Sequence, residues 1–556
     1  MSGGPPLHDA ARRAQVGLGV PPQAMSITEG QAMSNFSRTQ RIRKEVVWTD
    51  GGVVAAQHRK AAEVGAAVLA DGGDAMDAAV ATSFAVGVVE PWMSGPMGGG
   101  MMTLWRAGEQ RAETIEFGMR APAGLDVADY PLEPGRQAAD LFPWTRVRDD
   151  CNIYGATSVA VPGTVAGMAL AHRRYGTRDW GDLLAPAVAL AEEGMLLDWY
   201  SSLLIASAAR QLAQDPDAAA LFLADGQWPD IAGWTTASAA RLDQRVHADT
   251  LRRLADHGAQ DFYHGDIGRM LVDDVRAKGG SLSMEDLRSY QAEARAPRTV
   301  RYRDAVIHAP SGLSAGAELV TALQQMQAAF DPGDAPSAAS YAALASGLGD
   351  AYRDRLAHAG DTGESPRAPA CTTSFSVVDR HGNMVNVTQT LLSMFGSHVV
   401  SGQTGMLLNN GIMWFDPEQG RPNSLAPGKR CLMNVCPTVG QVGDRMFAIG
   451  ASGGRKILPA VANLVSFMAD FGMDLEQAFH TPRIDASAAT GTVMDEDLPQ
   501  DVAQALAALG PVTTAKRTVH PYAFAVPAGV MRQAGRNCGA TEIMSPWGDA
   551  VCEADM

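Results

Sequence analysis

Thr372 and Thr390 stand at the two ends of a stretch that reads as a β-hairpin. Ser374-Phe375-Ser376-Val377-Val378-Asp379 alternates polar and apolar residues, Arg380-His381-Gly382-Asn383 reads as a turn, and Met384-Val385-Asn386-Val387-Thr388-Gln389-Thr390 alternates again. Centring the turn on His381 pairs Phe375 with Val387 and Val377 with Val385 on one apolar face. Thr372 then meets Thr390 on the other face, with Ser374, Ser376, Asn386 and Thr388. A slip of one residue would turn the apolar set to the wrong side, so the pattern specifies the register. If the bond before Thr372 were cut, Thr372 would gain a free α-amine with a pKa near ~8, able to accept its own hydroxyl's proton. One residue then supplies nucleophile and base, with Thr390 as a hydroxyl partner. The hairpin alone is also the pattern of two ordinary strand threonines, since threonine is common in strands.

A second feature could stabilise developing negative charge. A strand over 445–449 runs into Gly450-Ala451-Ser452-Gly453-Gly454-Arg455-Lys456, and a helix starts near Ile457. Glycine amides at a helix start can hold an oxyanion, although glycines also permit any tight turn. No Gly-Lys-Ser/Thr follows, so this is not a phosphate-binding P-loop. Arg455 and Lys456 read either as attractors of an acidic substrate or as a solvated helix start. His58, His381 and His398 read as turn or surface residues, and no metal-ligand cluster or cofactor motif appears.

The elements that must position these residues follow from periodicity. Residues 51–57 read as a strand, Lys60 to Ala70 as a helix closed by Gly72-Gly73, and Ala75 to Val89 as a helix capped by Asp74 and buried on every side. A glycine turn follows through Gly98-Gly99-Gly100, then strands at 101–106 and around 113–117. Residues 165–280 are mostly helical, with helices over 166–175 and 180–193 and two more within 251–290. Residues 299–309 read as one strand, 331–337 as a loop, and 357–370 as an exposed linker ending at Cys371-Thr372.

The bulk numbers exclude several classes. The chain has 556 residues, 46% hydrophobic and 19% charged, as in ordinary globular proteins. A net charge of −16 argues against a nucleic-acid partner. The longest apolar run, Ala78 to Val89, is too short to span a bilayer, so no membrane partner is expected. Cysteines 151, 371, 431, 436, 538 and 552 have neither zinc-site spacing nor the density of a disulfide framework. Residues 1–47 are polar and lack an apolar targeting core, so the expectation is a cytoplasmic protein with a flexible N-terminal extension, in which Met25 and Met33 are alternative starts.

From about residue 51 to the C-terminus the chain resembles the γ-glutamyltranspeptidase family. The resemblance rests on Gly52-Val53-Val54-Ala55 through Gly72-Gly73-Asp74-Ala75-Met76-Asp77-Ala78-Ala79-Val80-Ala81, then Glu90-Pro91, Gly98-Gly99-Gly100 and Val161-Pro162-Gly163-Thr164. It continues with Thr372-Thr373-Ser374-Phe375 through Asp379, Leu407-Leu408-Asn409-Asn410, Pro427-Gly428-Lys429-Arg430 and Gly453-Gly454, in the family's order. The resemblance implies an α/β, four-layer αββα N-terminal-nucleophile hydrolase fold with extra helices. It implies a precursor cut between Cys371 and Thr372 into a large subunit, 48–371 behind the extension, and a small subunit, 372–556, that stay together and could associate further. Thr372 would be the nucleophile, Thr390 its partner, and Gly453 and Gly454 the oxyanion hole. An acyl-enzyme would form from a small-molecule amide and pass to water or an amine, without a cofactor.

The chain departs from that family where glutathione-type substrates are gripped. Gly118 stands at the family's arginine, Leu392 at an asparagine, Gly411 and Trp414 at a glutamine and an aspartate, and Met433-Asn434 at a serine pair. Arg120, two residues past Gly118, is the candidate replacement cation; Asn410, Trp414, Met433 and Asn434 complete the candidate substrate contacts. A zwitterionic glutamyl head would be buried there with unpaired charges, which is costly. The expectation is therefore an acyl group without the α-amine, such as the glutaryl group of cephalosporin acylases. The alternatives are a genuine γ-glutamyl transferase or hydrolase of glutathione and, from another class, an unprocessed binding protein with the same fold.

Overall fold

The apolar run after Asp74 forms the helix Ala75–Val89, and every one of its 15 residues is buried. Asp74 accepts the amides of Met76 and Asp77 while Asp77 accepts the Asp74 amide, a reciprocal cap that fixes where the helix starts. Its companion Arg59–Ala70 begins at His58, whose ring nitrogen accepts the Lys60 amide. These two helices lie on the first of two antiparallel sheets. That sheet runs, in spatial order, Asp549–Cys552, Val53–Ala56, Thr373–Val378, Met384–Thr390, Gly99–Arg106, Arg111–Phe117 and Glu293–Arg295. The second runs Arg536–Thr541, Val526–Gln533, Arg445–Ser452, Thr438–Val442, Ala305–Ala309 and Arg298–Tyr302.

Alternation along the strands sorts the core into layers. Phe375, Val377, Val385 and Val387 turn outward to a core shared with Met76, Val80, Phe84 and Val88 of the buried helix. Ile307, Phe447 and Ile449 of the second sheet turn outward to Leu319, Leu323, Leu344, Leu348, Val461 and Leu464. Those residues come from the helices Gly316–Ala329, Ala338–His358 and Ile457–Asp470. Val53, Val378, Met384, Val439, Ala448 and Val530 meet between the two sheets. The order is helix, sheet, sheet, helix, the expected four layers, with added helices between 164 and 288. Each large side chain buried in these layers contributes roughly 1.5–3 kcal/mol.

The computed structural model describes residues 37, 39–138, 144–233, 235–237, 239–360, 372–488 and 491–556. Residues 43–556 form one unit. Much of the expected N-terminal extension and all but the start of the expected linker, Cys371 included, lie outside the described residues. Within 43–47, Val46 donates its amide to Glu476 at 3.2 Å and Arg43 pairs with the same carboxylate. Lys44 reaches Thr541 at 3.0 Å.

Two readings change. Residues 299–309 are not one strand but the hairpin Arg298–Tyr302 and Ala305–Ala309, turned at Arg303 with φ of 54°. No glycine or asparagine marks that turn. The two helices expected within 251–290 are the end of Arg245–His257 and three further pieces, Ala259–His264, Asp266–Ala277 and Met284–Arg288. Gly258, at φ 72°, and Gly265 break what periodicity alone joins. Cys151, Cys436, Cys538 and Cys552 are free thiols.

Candidate active site

The hairpin has the register its apolar pattern requires: Phe375 faces Val387, Val377 faces Val385, and Thr373 faces Gln389. One step further places Thr372 opposite Thr390. By alternation Thr372 lies on the face that looks at the second sheet, and that face is polar. Asn386 donates to Ser374 at 3.3 Å, Ser376 at 2.8 Å and the Phe375 carbonyl at 3.0 Å, and Ser376 donates to the Ala528 carbonyl at 3.2 Å. The opposing strand approaches closely at Gly450, where a Cβ would sit 2.3 Å from Asn386 Oδ1 and 2.5 Å from Ser374 Oγ. Only glycine allows the two sheets this distance.

Moving from Ser374 to Thr372 on one strand matches moving from Gly450 to Ser452 on the other, and Gln57 ties these ends together. Its amide nitrogen donates to Ser452 Oγ at 2.6 Å and the Val526 carbonyl at 2.7 Å, while its oxygen lies 3.2 Å from Thr373 Oγ1. The nucleophile candidate and the glycine turn are thus neighbours of two residues joined through one amide. After Ser452, Gly453 and Gly454 adopt φ of 127° and 64°, and a 3₁₀ turn leads into Ile457–Asp470. Amides at such a start have no intrahelical acceptor. Lys456 does not project into solvent: its ammonium donates to the carbonyls of Tyr522 and Ala523 at 3.1 and 2.7 Å.

Thr372 is fully buried, and its hydroxyl has no hydrogen-bond partner among the described residues. Unsatisfied buried hydroxyls are rare enough in folded proteins that each calls for an explanation. Thr390 Oγ1 accepts the Leu392 amide at 2.7 Å, which fixes the hydroxyl oxygen in place. Leu392 reaches that position with φ of 88°. The glycine triplet explains itself here too: a Cβ on Gly98 would sit 2.5 Å from the Thr390 carbonyl, and one on Gly100 2.3 Å from the Thr388 carbonyl.

The candidate substrate contacts cluster beyond Thr390. A Cβ on Gly118 would lie 2.7 Å from Met433 Cε, so the thioether fills the space where a side chain at 118 would begin. Met433, Trp414, Leu392 and Met413 share one buried apolar cluster. Trp414 is fully buried with its indole N–H unpartnered. Behind them Arg355, 2% exposed, pairs with Glu318 at 2.8 Å and donates to the Met433 carbonyl and to Asn434 Oδ1, each at 3.1 Å. Because Oδ1 of Asn434 faces a guanidinium, its Nδ2 must point the other way; that nitrogen is buried and unpartnered.

Asn410 is differently occupied: it accepts the Ser393 amide at 3.0 Å and donates to the Ile153 carbonyl at 3.1 Å and to Ser393 Oγ at 2.9 Å. These bonds brace the loop after Thr390. Arg120 donates to the Asp286 carbonyl at 2.9 Å and Ser289 Oγ at 2.7 Å, with its Nε buried and unpartnered. It lines a cavity of about 220 Å³ with Gly118, Glu116, Leu313, Arg430 and Cys431.

Sequence reasoning named neither Gln57 nor Arg355 and read Glu90 only as a motif match. Glu90 caps the C-terminal end of Ala75–Val89 and accepts Thr373 Oγ1–H at 2.5 Å. Burial pushes its carboxyl up to about 7, with the Thr373 hydrogen bond opposing. The available signal was a lone acid ending a wholly apolar helix. Two of the histidines set aside are held neutral by burial, His58 and His398 both lowered to about 4. Among the described residues no group of three or more His, Cys, Asp or Glu could hold a metal, and no described helix is long and apolar enough to cross a membrane.

Comparison with known proteins bears on this arrangement. The family model for gamma-glutamyltranspeptidase matches residues 61–371 and 362–548. The chain is 32% identical over 504 residues to the Acylase ACY 1 proenzyme of Pseudomonas sp. (strain V22), covering 83% of this chain and 86% of the relative. It is 29% identical over 521 residues to the glutathione hydrolase proenzyme of Bacillus subtilis (strain 168), covering 84% and 86%. The solved cephalosporin acylase from Bacillus halodurans has the same fold, with TM-score 0.80 over 94% of this chain and 99% of that one at 23% identity. The chain belongs to the γ-glutamyltranspeptidase family and is an enzyme of that family's N-terminal-nucleophile amidohydrolase and acyltransferase class.

Proposed function

We propose that this chain is an autoprocessing amide hydrolase or acyl transferase whose nucleophile is Thr372 and whose preferred acyl group lacks the α-amine of γ-glutamyl compounds. The observation that carries the first half is the unpartnered, buried hydroxyl of Thr372 beside the Gln57 tie to the glycine turn. In the precursor that hydroxyl attacks the carbonyl of Cys371, an ester replaces the amide, and water releases the two chains. The new α-amine then takes the hydroxyl proton in each turnover. Thr390, whose Oγ1 is fixed by the Leu392 amide, hydrogen-bonds the attacking oxygen and orients it. The amides of Gly453 and Gly454 receive the oxyanion of the tetrahedral intermediate. The acyl-enzyme is released to water or an amine.

The acyl preference rests on Met433. It sits against Gly118, so the carboxylate grip of arginine and serine is replaced by a thioether and a bare backbone. An α-ammonium buried beside Met433, Trp414 and Leu392 would stand against apolar side chains, at a cost of several kcal/mol. A glutaryl-like chain lays methylenes along the same surface. Its distal carboxylate needs a donor, which the unpartnered Nδ2 of Asn434 and Nε of Arg120 can supply. The acylase relatives support this reading, while the glutathione hydrolase relatives favour the γ-glutamyl alternative.

A matched panel of glutaryl-, adipyl- and γ-glutamyl-p-nitroanilides tests it. The glutaryl compound is expected to have the higher kcat/KM by about tenfold or more, the scale of one lost polar contact. A γ-glutamyl compound that clearly outpaces it overturns the acyl assignment. Failure to find a fragment beginning at Thr372 overturns the processing assignment.

A further inference from the structure

Glu90 is a carboxyl with an unusual address. It ends the buried helix Ala75–Val89, where the helix dipole disfavours an anion, and it is 6% exposed. Its side chain touches the strand of Thr372 through Thr373, and Thr373 touches the glycine turn through Gln57 and Ser452. The ionisable groups facing it are Tyr200, on the helix Trp199–Leu212, and Tyr522, whose hydroxyls lie 3.2 Å apart. Asp198 and Glu542 bear on those tyrosines in turn, and Lys456 is bound to the Tyr522 carbonyl. No cation is among the groups that shift Glu90 itself.

The geometry poses a choice for one proton. Thr373 Oγ1 lies within bonding distance of two acceptors, Glu90 Oε2 at 2.5 Å and Gln57 Oε1 at 3.2 Å, and has a single hydrogen to give. When Glu90 is ionised, Thr373 donates to it, and the Gln57 oxygen is left without that donor. When Glu90 is protonated, its own O–H donates to Thr373 Oγ1, and the Thr373 hydrogen turns to Gln57. Only the second arrangement makes a continuous chain, from Glu90 through Thr373 and Gln57 to Ser452 beside Gly453. Such chains strengthen one another when every member is satisfied.

We propose that Glu90 is a positioning residue that acts as a neutral acid, holding the Thr372 strand and the Gly453-Gly454 turn in register through Thr373, Gln57 and Ser452. The inference rests on the assignment of Thr372 as nucleophile. An anionic Glu90 would also stabilise the ammonium form of the nearby Thr372 amine and so weaken the base. Burial already raises the acid into the working range, to about 7. In the wild-type protein, turnover gained as the amine loses its proton is therefore held back as Glu90 ionises.

The test uses the processed full-length protein and the acyl-p-nitroanilide that it turns over. In Glu90→Gln the amide donates to Thr373 at every pH. The ratio of kcat at about pH 9 to kcat at about pH 6.5 is expected to rise by about tenfold over wild type. Glu90→Ala and Thr373→Val, which break the chain, are expected to lower kcat by about tenfold at about pH 6.5, where wild-type Glu90 holds its proton, and by less at about pH 9, while KM stays put. Thr373→Ser keeps the relay and the wild-type profile, and the Thr373 pair carries the test if the Glu90 variants do not fold. A Glu90→Gln profile that superimposes on wild type overturns the inference, as does a kcat as low as that of Glu90→Ala at all pH values. Wild-type protein with no Thr372-led fragment and no turnover sinks the underlying assignment; an active two-chain wild type with an unmoved Glu90→Gln profile sinks only this one.

Discussion

The two halves of the candidate site are built from opposite materials. Around Thr372 the space between the sheets is polar and heavily hydrogen-bonded, with Ser374, Ser376, Asn386, Thr388 and Gln57 each bonded. Around Met433 and Trp414 it is apolar, and the Trp414 indole N–H and Asn434 Nδ2 lack partners among the described residues. The first half holds geometry, because a bond network tolerates few substitutions. The second half sets what fits, because an apolar wall can be recut one side chain at a time. Chemistry and selectivity are thus separable in this fold, and that separation can be attacked from either side.

The largest expected effect is on the polar side. Thr372→Ala removes the nucleophile and is expected to abolish both chain cleavage and turnover, by about 10⁴-fold or more. Denaturing mass spectrometry and a p-nitroanilide assay read the two outcomes. Retained cleavage would place the nucleophile elsewhere and break the comparison at its root.

Next is the support of the apolar side. Arg355→Met takes the Arg355 guanidinium from buried Glu318 and frees the Met433–Asn434 segment. A destabilisation of about 3–5 kcal/mol is expected from denaturant midpoints. A loss below about 1 kcal/mol would put the pair in the class of exposed salt bridges and deny it a scaffold role.

Glu90 gives a pH signature on the polar side. Its folded pKa of about 7 lies above the ordinary carboxyl value, so the native state binds the extra proton. The resulting stability is fully present below about pH 4 and is lost as pH rises through about 7. By that linkage, Glu90→Gln should gain about 3 kcal/mol on wild type in going from about pH 4 to about pH 8. Equal differences in melting stability at both pH values would show that folding does not raise the Glu90 carboxyl.

Much of this was legible in the sequence, and the reasons are specific. The hairpin register followed from Phe375, Val377, Val385 and Val387, because a strand with one apolar face permits no slip. The helix Ala75–Val89 was bounded by Asp74 and Asp77 on one side and Glu90-Pro91 on the other. The turn at Arg303 was invisible because a non-glycine residue takes the left-handed conformation there. The glutamine tie escaped because Gln57 meets Ser452 and Thr373 across more than three hundred positions, and no local pattern records such a pairing. Arg355 was hidden on an alanine- and glycine-rich helix, where an arginine two residues from Arg353 reads as solvent-exposed until packing covers it.

The smallest expected effect cuts the apolar wall itself. Met433→Ser restores a hydroxyl and opens the space beside Gly118. It is expected to shift the γ-glutamyl-to-glutaryl ratio of kcat/KM by about tenfold, or 1.4 kcal/mol, toward γ-glutamyl, with chain cleavage complete. Gly118→Arg alone must displace the Met433 methyl, which is 2.7 Å from where its Cβ would lie, so it should cost activity on both substrates. Combined with Met433→Ser it has room and adds a cation at the carboxylate end of the subsite. The pair should therefore be strongly non-additive, with the double variant outperforming Gly118→Arg. Additive losses would mean that the two positions do not share a subsite. Incomplete cleavage in Met433→Ser would mean that the acyl wall also shapes the Thr372 network and that the two halves are not separable.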